Sequence, residues 1–459
     1  IRDGRFGNWL ENNVDWALSR DRYWGTPLPF WRCEDCNSIE VVGSRAELAE
    51  RTGTDLSGLD PHRPYVDAVT FDCASCGGTA HRIPDVADAW FDSGAMPYAQ
   101  WGYPHQGQDE FARHYPADYI CEAIDQTRGW FYTLLAESTL LFGDSSYRTC
   151  LCLGHIVDED GRKMSKSLGN VLDPWELIDA HGADALRWLM FAEGNPWVNR
   201  RVGHEVLADV VRRFLLTIWN THVFFTTYAQ IDAYDPSVPA TAVANRPAAD
   251  RWVLAELAAL VETVDQALDI YDVTTATRSL ERFVNDLSNW YVRRNRRRFW
   301  KAASEDPQDK QAAYATLHTC LTTLSQLLAP FVPFLAERLW QDLVVSQGHG
   351  PISVHLSDFP TADRSWQDDE LRQAMGVARR LVELGRQARN DTSVKIRQPL
   401  ARALVSVPSD ERAGLAALLP DVAEELNVHR IELSDGTGEL IERRFKPNFR
   451  ALGPRVQKQ

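Results

Sequence analysis

The residues Lys163-Met164-Ser165-Lys166-Ser167 place two ammonium groups and two hydroxyls in a short loop flanked by Gly161 and Gly169. Before the loop runs an apolar, strand-like stretch with Leu151, Leu153, Ile156 and Val157. After it comes Asp173-Pro174-Trp175-Glu176, an N-cap aspartate, a proline at the first helical position and a glutamate three residues after the cap. A lysine loop at the C-terminal end of a strand in an open α/β sheet lies where such sheets bind nucleotides. Its ammoniums can stabilise the charge that grows on a leaving pyrophosphate, which needs positioning and electrostatics but no covalent intermediate. The bland alternative is an exposed lysine-serine turn.

Three other groups of residues could do chemistry. Cys33-Glu34-Asp35-Cys36 and Cys73-Ala74-Ser75-Cys76 are two Cys-x-x-Cys knuckles separated by residues 37–72, and four thiolates so presented suit tetrahedral Zn²⁺. Redox pairing and inert thiols are the alternatives. A four-cysteine zinc has no open position, so its role would be in folding. Cys121, Cys150, Cys152 and Cys320 lie in apolar runs and read as buried thiols. Glu122, Asp125 and Gln126 follow a predicted strand and precede a predicted helix; carboxylates there can take ribose hydroxyls or hold an ammonium, unless Asp125 merely caps the helix. Finally, Trp290 to Lys301 contains Arg293, Arg294, Arg296, Arg297 and Arg298. Aromatics and arginines at this density suit phosphate contact and base stacking. The competing reading is an amphipathic helix with its aromatics in the core and its arginines solvated or paired with Glu281 and Asp286.

The elements that must hold these residues follow from periodicity. Asp118–Cys121, Arg128–Leu141 and Thr149–Val157 read as strand, helix, strand, the closing half of a doubly wound sheet. From about 204 the pattern is helical. Val211, Phe214, Leu215, Ile218, Trp219 and His222 form one stripe, and Trp252, Leu254, Leu257, Leu260, Val261 and Val264 another, so an α-bundle is expected to about 345. A linker at Pro360 to about 367 leads to a helix over 368–390, strands at 394–400 and 403–407, a helix around 410–425, and strands near 429–433 and 439–445.

Composition sets the bounds. At 459 residues with 44% hydrophobic content, the chain has material for more than one core. A formal charge of −15 excludes a protein that coats nucleic acid through its overall field, so any RNA contact must come from a local basic patch. No apolar run is long enough to span a bilayer, and a cytoplasmic location is expected. The chain starts at Ile1 without methionine and reads as cut at both ends.

The lysine loop resembles the signature loop of class I aminoacyl-tRNA synthetases. Trp16-Ala17-Leu18-Ser19-Arg20-Asp21-Arg22-Tyr23-Trp24-Gly25-Thr26-Pro27, Trp90-Phe91-Asp92-Ser93-Gly94 and Asp125-Gln126-Thr127-Arg128-Gly129-Trp130-Phe131 look like the isoleucine family in order and spacing, from about residue 4 to about 456. The Trp-Phe-Asp-Ser-Gly run favours isoleucine over the valine and leucine families. One departure is Ala123-Ile124, where the family often has glycine. The resemblance implies catalytic roles for Lys163, Ser165, Lys166 and Ser167. It places Glu122, Asp125, Gln126, His155, Met164 and Lys166 around ATP or the adenylate, and Trp90, Gln126 and Trp130 in the amino acid pocket. It suggests RNA contact by Trp290, Arg293, Arg294 and Arg297. ATP, Mg²⁺ and Zn²⁺ would be the cofactors, L-isoleucine and tRNA(Ile) the partners, with no membrane contact and a monomeric state.

The expected fold class is an α/β catalytic part, the second half of a Rossmann-like parallel sheet with a zinc-binding insertion, followed by an all-α anticodon-binding bundle and a small α+β appendix. The expected divisions are a catalytic segment at 1–32, the zinc knuckles and pocket segment at 33–94, the second half of the Rossmann-like domain at 95–203, the bundle at 204–360 and a junction subdomain at 361–459. Neither an editing domain nor the His-x-Gly-His motif that the family sets beside the ATP phosphates is found, so the chain is expected to carry about half an active site. The rival readings are a non-catalytic RNA-binding or regulatory protein, and a leucine or valine synthetase.

Overall fold

The computed structural model describes residues 3–302 and 305–434. The chain divides into two compact units, one of residues 1–171 with 195–201, the other of residues 172–194 with those from 202 onward.

In the first unit, a four-stranded antiparallel sheet has the spatial order Ile39–Val41, Phe30–Cys33, Thr79–Arg82, Phe71–Asp72. The residues between the cysteine knuckles add the helix Arg45–Thr52, whose Ser44 side chain accepts the Glu47 N–H at 3.1 Å. Trp31, Val42, Leu48, Val66, Phe71 and Ala80 give this insertion a core of its own. Beyond it the strand Ala117–Ala123 pairs in parallel with Tyr147–Leu153, and the helix Trp130–Phe142 makes the crossover between them. Ile120, Phe131, Leu134 and Cys152 are buried together there.

Two boundaries differ from the sequence reading. The helix expected from Arg128 begins at Trp130, because Ile124–Arg128 forms a 3₁₀ turn first. The strand expected over 149–157 is two strands: Tyr147–Leu153 ends, and Ile156–Val157 pairs instead with Arg200–Arg201 in parallel. The break falls at Gly154, whose N–H donates to the Pro196 carbonyl at 2.9 Å. Ala123, at the position where glycine was of interest, has φ −72° and ψ 163°, open to any residue.

The second unit is a helical bundle. Its long members are Leu216–Ile231, Ala248–Asp269, Val273–Asp286, Pro307–Leu328, Pro333–Leu343 and Asp369–Asp391. Val273–Asp286 runs on through a wide π turn, Leu287–Val292, into Arg293–Trp300. Both apolar stripes read from the sequence supply buried residues to one core, with Phe214, Ile218, Trp252, Leu257 and Val264 no more than 1% exposed. His222 is also buried, and desolvation lowers its pKa.

Among the described residues of the expected α+β appendix there is one pair of strands. Ala403–Ser406 pairs in parallel with Ile431–Ser434. The expected strand at 394–400 is absent as a strand; only Leu400 bridges to Val428. The cause is Arg389, whose guanidinium, in a residue 6% exposed, takes the carbonyls of Lys395, Gln398, Leu426 and Asn427. Those carbonyls face an arginine and not a partner strand. The helix expected over 410–425 is interrupted at Gly414, φ +68°, and becomes regular only over Leu419–Leu426. The strand expected at 439–445 lies outside the described residues. Among the described residues no helix is long and apolar enough to cross a membrane.

One buried ion pair ties the bundle together. Asp250 is fully buried and accepts hydrogen bonds from the Tyr291 hydroxyl at 2.9 Å and from Arg298 Nη1 and Nη2 at 2.5 and 2.9 Å. Removing Asp250 leaves the buried Tyr291 hydroxyl and one edge of the Arg298 guanidinium unpaired, while Asp309 still holds the other edge at 2.7 Å, a loss of typically about 1–3 kcal/mol. Asp250→Ala is therefore expected to lower unfolding free energy by about that amount in denaturant titration. An Asp250→Leu, Arg298→Met double variant should recover most of the loss.

Candidate functional site

The lysine loop hangs from the strand Ile156–Val157, and its shape is set by two side chains that flank the lysines. Asp158, 8% exposed, accepts from the Arg162 backbone N–H at 2.7 Å, from Arg162 Nε at 3.1 Å and from Asn170 Nδ2 at 2.8 Å. The Asn170 amide holds its carboxyl below the usual range, helped by Arg162. Asn170 Oδ1 also accepts the Ser165 N–H at 2.9 Å, and its Nδ2 reaches the Lys163 carbonyl at 3.3 Å. One asparagine thus stitches the start, middle and end of the loop. Gly161 and Gly169 make the two reversals at φ +83° and +64°.

Within that frame Ser165 caps the short turn Lys166–Leu168, its Oγ accepting the Leu168 N–H at 3.3 Å and lying 3.1 Å from Ser167 Oγ. Lys163 and Lys166 are exposed, and neither ammonium has a partner among the described residues. Met164 is half-buried between them. The loop presents two positive charges that no described residue neutralises. His155 sits at its entrance with an exposed ring; its backbone N–H donates to Asn199 Oδ1 at 3.1 Å and its carbonyl accepts from Arg200 N–H at 2.9 Å. Asp158, Asn170 and Asn199 were not singled out from sequence. For the first two, the available signal was a carboxylate and an amide closing a glycine-marked loop.

At the end of the strand Ala117–Ala123, Glu122 and Asp125 are exposed. Asp125 does not cap the following helix. Gln126 does that work, its Oε1 accepting the Trp130 N–H at 2.9 Å, while its Nε2 donates to Asp125 Oδ2 at 3.3 Å. Trp130 Nε1 donates to the Ser93 carbonyl at 3.0 Å. Trp90 leans on Gly129, where an added Cβ would lie 3.0 Å from the Trp90 ring and 2.6 Å from Gln126 Oε1. Trp90, Gln126 and Trp130 therefore converge around one buried glycine. Asp88 fixes the Trp90 end: it accepts from the Trp90 N–H at 3.2 Å, from Trp16 Nε1 at 2.9 Å and from Arg20 Nη2 at 2.5 Å. A cavity of about 230 Å³ opens beside them, with Trp9, Trp16, Trp90 and Tyr132 in its walls. Trp9 and Tyr132 were missed because nothing local marks them.

The four knuckle cysteines come together. Cys33 and Cys76 sulfurs are 3.4 Å apart, Cys36 and Cys73 3.7 Å, and all four sulfurs lie within 4.8 Å of one another. These spacings are too long for disulfides. A tetrahedral ion with metal–sulfur bonds of about 2.3 Å needs sulfurs about 3.8 Å apart, so the set can hold one. Backbone N–H groups of Cys36 and Asp35 lower the Cys33 thiol, whereas Cys36 and Cys76 are raised by the neighbouring thiols, so without a cation the four do not ionise together. Of the other cysteines, Cys152 and Cys320 are buried while Cys121 and Cys150 are half-buried.

The basic helix is more committed internally than its sequence suggests. Trp290 is 8% exposed with Arg294 over its ring, and Arg294 pairs with Asp421 at 2.8 Å and Glu425 at 3.3 Å. Arg293 pairs with Glu425 at 2.8 Å. Arg298 is consumed by Asp250 and Asp309. Glu281 and Asp286 are not the partners; Asp286 is taken by Arg379. Arg296, Arg297 and Trp300 remain exposed.

Residues 1–198 match the family model "tRNA synthetases class I (I, L, M and V)", and residues 250–405 match "Anticodon-binding domain of tRNA ligase". The chain is 55% identical to the isoleucine–tRNA ligase of Streptomyces coelicolor over 467 residues, covering 100% of this chain and 43% of that protein. With the Thermus thermophilus isoleucine–tRNA ligase it is 48% identical, covering 100% of this chain and 44% of that protein. The chain thus spans less than half the length of these curated relatives. Two solved structures share the fold: the agnB2 LeuRS of Agrobacterium radiobacter K84 in a ternary complex with tRNA and LeuAMS (TM-score 0.57, 19% identity, 96% of this chain and 52% of that one), and Mycobacterium tuberculosis methionyl-tRNA synthetase in complex with methionyl-adenylate (TM-score 0.53, 18% identity, 77% and 62%).

The stitching role of Asn170 has a direct test. Asn170→Ala removes its links to Asp158, Ser165 and Lys163 and leaves the Asp158 carboxylate short of a donor, a change of about 1–3 kcal/mol confined to the loop. Trypsin should then cut after Lys163 or Lys166 on the order of tenfold faster, with the global unfolding transition unmoved.

Proposed function

This chain belongs to the isoleucine–tRNA ligase family of class I tRNA synthetases, and we propose that it supplies the lysine loop, the amino acid pocket and the tRNA-facing bundle for ATP-dependent activation of L-isoleucine and its transfer to tRNA(Ile). In the first step an isoleucine carboxylate oxygen attacks the α-phosphorus of ATP, the bond to the bridging oxygen breaks, and pyrophosphate leaves with the negative charge. In the second, a ribose hydroxyl of the terminal adenosine attacks the adenylate carbonyl and AMP leaves. Neither step needs a covalent enzyme intermediate.

The observation that carries this reading is the pair of exposed, unneutralised ammoniums on a loop whose backbone is fixed by Asp158 and Asn170. Lys163 and Lys166 stabilise the separating pyrophosphate, and Ser165 and Ser167 hold the turn that presents them. Mg²⁺ bound to the nucleotide would offset part of the triphosphate charge beside the two lysines. Glu122, Asp125, Gln126 and His155 face the adenosine side, Met164 borders it, and Trp90, Gln126 and Trp130 form the apolar wall for the isoleucine side chain. A retired RNA-binding protein would leave the two unpaired lysines without a role. Of the residues proposed for RNA contact, Arg297 is exposed and unpaired among the described residues; we assign the contact to Arg297 and its neighbour Arg296, since Trp290, Arg293 and Arg294 are engaged within the bundle.

Zn²⁺ at Cys33, Cys36, Cys73 and Cys76 would close the base of the insertion and act in folding. One equivalent of zinc is expected by elemental analysis, lost in a Cys33→Ser, Cys73→Ser double variant; stoichiometric zinc in that variant would reject the site.

For the loop, Lys163→Ala or Lys166→Ala in the intact synthetase is expected to slow adenylate formation roughly a hundredfold, about 3 kcal/mol, with isoleucine affinity little changed. A raised isoleucine KM at an unchanged rate would make the loop a binding element and overturn its proposed role.

A further inference from the structure

Glu137 lies on the Trp130–Phe142 helix, well away from the lysine loop in sequence, and is only 5% exposed. Its Oε2 accepts the Tyr98 hydroxyl at 2.9 Å, while Oε1 has no hydrogen-bond partner. That second oxygen lies directly under Gly94, the last residue of the helix Ala89–Gly94: a Cβ there would sit 2.2 Å from Oε1 and 3.0 Å from the Thr133 carbonyl carbon. The carboxyl is thus packed beneath the junction between Ala89–Gly94, which bears Trp90, and Met96–Ala99, which bears Tyr98. The Trp130 Nε1 bond to the Ser93 carbonyl ties the helix Trp130–Phe142 to Ala89–Gly94 directly, beside the Glu137 bond to Tyr98 of Met96–Ala99.

The groups that face Glu137 offer it no cation. From Ala89–Gly94 comes the carboxylate of Asp92, from Met96–Ala99 the phenol of Tyr98, and its own helix carries no other charged side chain. Nearby Tyr115 and Phe142 extend an aromatic shell, with ring centroids 5.0 Å apart, and Tyr98 lies 5.7 Å from Phe142. A buried carboxylate with one phenol, no counter-ion and a like charge nearby is disfavoured; the neutral acid fits the space. Burial first, then Asp92, raises its pKa to about 7 despite the Tyr98 hydrogen bond.

We propose that Glu137 is a positioning residue for amino acid recognition: as a neutral acid it clamps the Trp90-bearing helix onto the Trp130-bearing helix, and ionisation loosens that clamp. The proposal rests on the reading of Trp90 and Trp130 as walls of the isoleucine pocket. The sign follows from linkage. Proton binding is stronger in the clamped form than in a solvent-exposed acid, so the clamp is complete below the ordinary carboxyl range and is lost as pH rises through about 7.

The test uses the intact synthetase as wild type, Glu137→Gln, Glu137→Ala and Trp90→Ala. Two quantities are followed from pH 6 to pH 8: amide exchange of residues 89–99, corrected for intrinsic rates, and isoleucine affinity. In the wild type, exchange should speed up and affinity fall roughly tenfold across that range. Glu137→Gln, neutral at every pH, should remove both slopes and keep the low-pH values, and Glu137→Ala should be loose throughout. A Glu137→Gln variant that retains the wild-type slopes overturns the proposal, as does a Glu137→Ala variant with wild-type exchange and affinity. If Trp90→Ala leaves isoleucine affinity unchanged, the pocket reading itself fails; if it weakens affinity while Glu137→Gln still titrates, the clamp alone is wrong.

Discussion

The lysine loop depends on a close backbone approach at Gly154. A Cβ at that position would lie 2.4 Å from both the carbonyl carbon and the oxygen of Val198, and 2.7 Å from the Asn199 nitrogen. Only a residue without a side chain lets the segment Asn195–Arg201 come in beside the chain and pair as Arg200 with Ile156 and Arg201 with Val157. That short parallel pair is the base from which residues 158–170 depart. Asp158 leaves it already buried and ready to take the Arg162 and Asn170 donors. Geometry at a glycine is thereby converted into the placement of two ammonium groups, which is the form electrostatic catalysis needs, since charges aimed in advance cost no reorganisation during reaction.

The region around Trp90, Gln126 and Trp130 is arranged on a similar plan with different parts. Gly129 lets Trp90 and Gln126 meet, Gln126 spends its oxygen on the helix start, and Asp88 orients the other helix through Trp16 and Arg20. The cysteine cluster belongs to the same unit and lies on an insertion with a core of its own. The bundle resolves its own charge problem by pairing. An acidic chain with a run of arginines consumes Arg293, Arg294 and Arg298 on Glu425, Asp421, Asp250 and Asp309, and leaves a much narrower exposed basic face than the run implies.

What could be read in the sequence was what neighbours in sequence decide. The cysteine knuckles, the glycine-framed lysine loop, the Asp173 cap and the helical stripes all rest on spacings of a few residues, and each has its counterpart in the structure. The errors came where a distant group intervened. Residues 394–400 have strand composition, yet Arg389 draws their carbonyls inward; residues 149–157 are apolar on both sides of Gly154-His155, and Pro196 and Val198 split the strand there. Arg293 and Arg294 looked available because their acidic partners lie more than a hundred residues further along the chain. The same limit hid Asn199, whose bond to His155 spans the two segments that meet beside the loop.

The central claim is that close packing at Gly154 sets the position of the lysines, and a rapid-quench measurement of single-turnover adenylate formation by a Gly154→Ala variant of the intact synthetase tests it most directly. Displacement of a catalytic group by about 1 Å typically costs on the order of a hundredfold in rate. The account expects a loss of that order, with isoleucine affinity and the unfolding transition near wild type. Adenylate formation at the wild-type rate in the folded variant would contradict it.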